Sequence, residues 1–177
     1  LYERVNAAVQ RHAGRPFDTM FFPYLYGSPD GAPAGFLGMN AQTGFDETMA
    51  AVFEGIVFAH KNDIDTVLTG PDAAHPQVIR LSGGASRSAI WSEMFADILN
   101  LPVEVPVGSE FGALGTAICA AAATGGHASL PEAVEAMTGI ARRHEVHPDR
   151  GDLHRAKYPR YRALSAALAG CEEMAHA

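Results

Sequence analysis

Val78-Ile79-Arg80-Leu81-Ser82-Gly83-Gly84-Ala85-Ser86-Arg87-Ser88-Ala89-Ile90-Trp91 is the stretch that decides the fold. Its first four residues read as a short buried strand, and the small residues Ser82 to Ser86 as a tight turn. From Ser88 to Leu99, Ile90, Trp91, Met94, Phe95, Ile98 and Leu99 recur at helical spacing and form one stripe. A Gly-Gly turn lets a ligand touch main chain, because no Cβ intervenes. The helix that follows offers free N–H groups and a positive dipole end. The turn is neither G-x-G-x-x-G nor a P-loop, so a plain structural turn stands beside the nucleotide reading. Trp91 lies on the stripe and reads as core packing rather than ligand stacking.

Downstream, Val103-Glu104-Val105 reads as a second strand ended by Pro106, and another helix starts near Phe111-Gly112-Ala113 with an Ala- and Gly-built face. Ser129 and Pro131 open a helix from Leu130 to Thr138. The tail from Leu153 to Met174 reads as an amphipathic helix kinked at Pro159. Upstream, Asp46 caps a helix to Asp63 whose apolar face holds Met49, Val52, Phe53, Ile56 and Val57. Gly70-Pro71-Asp72 breaks the chain after it. Leu1 to His12 reads as a short helix closing at Gly14. Between them, Arg15 to Asn40 carries Pro16, Pro23, Pro29 and Pro33 among six aromatic residues (Phe17, Phe21, Phe22, Tyr24, Tyr26 and Phe36). A loop with that many large apolar groups must pack against something.

Alternating strands and helices predict an α/β fold. Two convincing strands are too few for a self-sufficient sheet. The start, Leu1-Tyr2-Glu3-Arg4, has neither an initiator Met nor a signal-peptide layout. Together these predict a piece of something longer. The 177 residues fit one domain, and 47% apolar content is enough for a core. A net charge of -7 argues against a nucleic-acid or anionic-membrane surface, and no apolar run reaches the length of a membrane span. Cys119 and Cys171 read as buried or half-buried thiols of a reducing compartment, without a disulfide, and the expected location is cytoplasmic.

Other chemistry is poorly supported. His144 and His147 are three apart, whereas the helical zinc pattern needs four, so no metal site is expected. No G-x-S-x-G nucleophile elbow occurs. Glu54 reads equally as a solvated helix acid or as a buried anchor for a loop. A Rossmann-type domain would need an acid about 20 residues after the glycines, where Asn100 and Leu101 stand.

Taken together, these segments resemble the FGGY carbohydrate kinases, from about Phe21 to Tyr161. Phe22-Pro23-Tyr24-Leu25-Tyr26-Gly27 resembles the family's F-x-P-Y-L-x-G loop. Gly35-Phe36-Leu37-Gly38-Met39 with Ala51-Val52-Phe53-Glu54-Gly55-Ile56 resembles its second signature. Gly83-Gly84-Ala85-Ser86-Arg87-Ser88-Ala89-Ile90-Trp91 resembles its adenosine motif. Ala96-Asp97, Leu101-Pro102-Val103, Glu110-Phe111-Gly112-Ala113-Leu114-Gly115, and Pro148 with Tyr158 and Tyr161 continue the register. Ala85 replaces the motif's third glycine, Thr43-Gly44 stands for Thr-Arg, and Thr48 sits where an apolar residue is usual.

The resemblance implies a ribonuclease H-like, actin-like ATPase fold of two domains. Residues 1–177 would be a partial, N-terminally truncated C-terminal domain on the ATP side. It implies ATP with Mg²⁺, a small-molecule sugar as substrate, and phosphorylation of its hydroxyl. The loop wording leans toward xylulose or L-xylulose, with glycerol-, polyol- or gluconate-type kinases as alternatives. Gly83, Gly84 and Ala85 would line the adenosine and α-phosphate. Ser88 would bond the adenine edge or cap its helix, and Glu110 and Gly112 would support the neighbouring loop. The general-base Asp would lie N-terminal to Leu1, leaving no catalytic residue in this chain and making it inactive alone. A Rossmann-type domain and a non-catalytic binding module remain the alternatives, and an incomplete sheet predicts self-association.

Overall fold

The central unit forms as its residues dictate. In the computed structural model, which describes residues 1–28, 31–70 and 74–175 (side chains to residue 169), strand β3 (Ile79–Arg80) leads through the Gly-Gly turn into helix α3 (Ala89–Leu99). Helix α3 ends at Asn100, which takes the left-handed conformation (φ 55°) that Asn tolerates. The chain then returns as β4 (Val103–Pro106), parallel to β3, with Ile79 opposite Val103 and Arg80 opposite Glu104. A third strand, β5 (Ile140–His144), pairs antiparallel to β4, placing Arg142 opposite Val105 and Arg143 opposite Glu104. The sheet order is β3-β4-β5. The β3 segment is less buried than its apolar run predicts, with Ile79 half-buried and Arg80 exposed.

The aromatic segment Arg15–Asn40 is not all loop. Met20–Phe22 forms β1, antiparallel to β2 (Gly35–Leu37); Met20 and Phe22 are buried, whereas Phe36, Leu37 and Tyr26 are exposed, so only part of the segment's large side chains pack as expected. Phe22 is buried and stacks on Tyr161 at 4.8 Å between ring centroids. This ribbon packs on α2 (Phe45–Val67) at unusually short range. A Cβ at Gly55 would lie 2.0 Å from the Phe21 carbonyl oxygen, so only glycine lets this helix face the strand here. Helix α2 starts one residue before the expected cap, with Gly44 at the cap position. Asp46 instead lies in the first turn, bonded by Arg11 Nε at 2.7 Å. The helix also runs four residues past Asp63, and Ile64 and Asp65 in that extension are half-buried.

Helix α1 (Tyr2–His12) and the final α6 (Pro148–Ala175) complete the core with α2 and α3. Val9, Phe53, Val57, Phe58, Met94, Phe95, Ile98, Val103 and Tyr161 form its centre. Helix α6 begins at Pro148, a residue suited to the first helical turn, and Pro159 sits inside one continuous span. Helices α4 (Phe111–Ala123) and α5 (Leu130–Met137) pack mainly on each other. Ser129 caps α5 through the Glu132 N–H. Only Ile118 of α4 is buried, and Cys119 is exposed rather than buried or half-buried, because the Ala- and Gly-built face meets no further layer among the described residues. The side chain of Cys171, and residues Pro29, Pro71 and Asp72 read as loop and break, lie outside the described set. Among the described residues no helix is long and apolar enough to cross a membrane.

Candidate functional site

The Gly83-Gly84 turn leaves the carboxyl end of β3, beside the carboxyl end of its parallel neighbour β4. In open α/β sheets this edge is where ligands bind. Gly83 holds φ +81°, a backbone state that glycine adopts without strain. Gly84 is in the right-handed helical region, and Ala85–Arg87 make one 3₁₀ turn. Both glycines are exposed, and a Cβ at either would meet nothing within 4 Å. Main chain is therefore exposed at this point, with no side chain over it.

The turn is held from beneath. Ser86 is buried and its hydroxyl donates to the Gly83 carbonyl at 2.8 Å. Ser88, 7% exposed, accepts from the Trp91 N–H at 3.3 Å and donates to Asn6 Oδ1 at 2.9 Å. Of its two expected roles, capping is the one its hydroxyl performs here, and α1 is tied to the turn through it. The Arg142 guanidinium donates to the Ser86 carbonyl from β5. Behind the turn, Trp91 stacks on Phe53 at 4.3 Å and donates its indole N–H to the Phe53 carbonyl at 3.3 Å, a core role. Ala85 is half-buried and packs against the core. The second loop at this sheet edge runs from β4 to α4, where Glu110 occupies the cap position without a capping bond and Gly112 is exposed.

Glu54 proves to be a buried anchor. It is 2% exposed, and its carboxylate takes Lys157 Nζ at 2.6 Å and His154 Nδ1 at 2.7 Å. Lys157 also donates to the Thr19 carbonyl at 2.9 Å and lies over the Phe17 ring, so one cation ties α6, α2 and the start of the aromatic ribbon. Burial pulls the Lys157 ammonium below its ordinary value, against the opposing pull of Glu54. A cavity of about 280 Å³ lies beside this network, and none of its lining residues belongs to the turn. Asp97, 1% exposed, receives the His147 N–H at 2.7 Å and pairs with Arg150 at 2.8 Å. Asp97 thus fixes the start of α6 through His147 and Arg150. Asn6, Arg142, His154 and Lys157 were not distinguishable by sequence pattern, since each acts on a partner at least about 50 positions away.

Residues 6–124 match the C-terminal domain of the FGGY family of carbohydrate kinases. Over 176 residues the chain is 33% identical to L-xylulose/3-keto-L-gulonate kinase of Escherichia coli (strain K12), covering 96% of this chain and 34% of that one. It is 30% identical over 169 residues to a probable L-xylulose kinase of Pasteurella multocida (strain Pm70), covering 94% and 34%. A ligand-bound xylulose kinase from Lactobacillus acidophilus superposes with a TM-score of 0.83 at 23% identity, over 96% of this chain and 35% of that one. The chain belongs to the FGGY family of carbohydrate kinases, and its fold is that of part of their actin-like ATPase architecture. A Rossmann-type domain is thereby excluded. The chain spans about a third of the length of the curated relatives it matches.

Proposed function

We propose that this chain forms the ATP-side wall of a kinase that phosphorylates a hydroxyl of a small sugar, with L-xylulose or xylulose as the first substrates to test. The carrying observation is the pair of exposed glycines at the carboxyl ends of two parallel strands, their backbone open on one side and fixed by side chains on the other. That arrangement suits a nucleotide whose purine and α-phosphate rest on main chain. Gly83, Gly84 and Ala85 would make this contact, and Ser88 would serve it by holding the helix start in place. Phosphoryl transfer depends on positioning and on charge neutralisation more than on covalent chemistry by the protein. A rigid wall with no side chain in the way provides positioning.

The acid that would take the sugar's proton lies outside this chain on this reading. Mg²⁺ is expected with ATP. Such an ion is held mostly by phosphate oxygens and waters, with one or two protein carboxylates. The names of the relatives support a ketose or ketoaldonate acceptor. A cytoplasmic location fits a metabolic kinase. Exposed Val107, Leu130, Val134 and Ile140 give an apolar surface for self-association.

The test is ADP release by the longest polypeptide that carries this chain, over a panel of ketoses, polyols and aldonates. Turnover on L-xylulose or xylulose above the rest is expected. ATP-dependent turnover on none of them would overturn the proposal.

A further inference from the structure

We infer that Arg142 is a positioning residue of the nucleotide wall, acting through the Ser86 carbonyl. The inference rests on the reading of the Gly83-Gly84 turn as a nucleotide contact. Arg142 stands opposite Val105, and directly opposed residues share a face of the sheet. Val105 is buried, as is Val103 two residues before it, so this is the inner face, the one α3 covers. Arg142 itself is exposed, like the rest of residues 140–143, so it stands at the open margin of that face. Arg143, one residue on, points to the other face and is fully accounted for there by Glu104 at 2.8 Å and Glu145 at 2.6 Å.

Arg142 has no acid of its own among the described residues. It reaches across β4 to the 3₁₀ turn and donates to the Ser86 carbonyl. Ser86 in turn donates to the Gly83 carbonyl. A two-bond chain therefore runs from β5 to the residue whose positive φ sets the bare surface. A guanidinium has five donors, and an arginine, exposed overall, whose hydrogen bond goes to one backbone oxygen rather than to an acid is a positional device rather than a charge-pairing one. Its link joins the first strand-to-helix turn to the far strand of the sheet, which no backbone hydrogen bond does among the described residues.

The experiment compares the unaltered chain with Arg142→Lys, Arg142→Gln and Arg142→Ala, titrating ATP and, separately, adenosine, and following amide exchange at residues 83–86. Loss of one hydrogen bond to a charged donor corresponds to about tenfold in Kd. The expected result is a rise of about tenfold for Arg142→Ala, equal for ATP and adenosine, partial recovery in Arg142→Lys, faster exchange at residues 83–86, and a melting temperature lowered by no more than a few degrees. Weakening confined to ATP would overturn the inference by making Arg142 a phosphate contact. Equal affinities in all variants would overturn it too. If the unaltered chain binds neither ligand, the nucleotide reading itself falls and takes the inference with it.

Discussion

Replacing Glu54 by Ala removes the single acid that Lys157 and His154 share. The Glu54 side chain is 3% exposed and Lys157 12%. Taking one partner from a buried ion pair costs about 3–5 kcal/mol, because the other charge stays behind uncompensated. Two features place this site at the lower end. Lys157 keeps its bond to the Thr19 carbonyl and its place over Phe17. Both Glu54 and Lys157 line the cavity of about 280 Å³, so water can reach the abandoned ammonium. The expected loss is about 3 kcal/mol, a large share of the roughly 5–15 kcal/mol that holds a domain together. Urea unfolding followed by Trp91 fluorescence measures it as a shift in midpoint at a common slope. The pH dependence provides a second check. A lysine whose folded pKa lies below its ordinary 10.5 binds fewer protons folded than unfolded between those values, so stability falls as pH drops through the folded value and recovers as pH rises. The deficit of the Glu54→Ala variant should therefore narrow toward pH 10. A loss below about 1 kcal/mol, or a deficit independent of pH, would refute the buried-anchor account.

Gly55→Ala should destabilise by about 2–3 kcal/mol despite the better helix propensity of Ala, since the new Cβ would lie 2.0 Å from the Phe21 carbonyl oxygen; thermal denaturation checks it, and a stabilised variant contradicts it. Gly84→Val should leave the melting temperature nearly unchanged, because a Cβ there meets nothing within 4 Å, yet abolish ATP binding by calorimetry; retained binding would mean the nucleotide does not approach this backbone. Burial raises Tyr158 and Tyr161 above the ordinary 10.0. Raised folded values give stability that is complete below pH 10 and lost as pH climbs toward them, so their tyrosinate absorbance should appear only with unfolding, and an early reversible signal from both would argue against their placement.

The parts legible in the sequence are those whose signals are local. The β3–turn–α3 unit carries its own helical stripe, its own glycines and, in Ser88, its own cap. The three strands that sequence reading misses share a physical reason. Residues Met20–Phe22 and Gly35–Leu37 are three-residue strands among prolines and glycines, stabilised by α2 packing over Gly55 rather than by their own pattern. The Ile140-Ala141-Arg142-Arg143-His144 strand is concealed by its charges, because Arg143 finds Glu104 and Arg142 finds Ser86 only once this strand has paired with β4. Asp46 has the composition of a cap, but Arg11 of α1 competes for its carboxylate. Glu54 shows the same limit from the other side, since its position on the apolar face hints at burial while its partners lie a hundred residues downstream.

Backbone amide shifts during an ATP titration of isotopically labelled chain test most directly whether purine nucleotide rests on this turn. Perturbations concentrated at Gly83, Gly84 and Ala85, fading through α3, are the predicted result. Saturable shifts that leave these three amides untouched and gather elsewhere, as around the cavity beside Glu54, would contradict it.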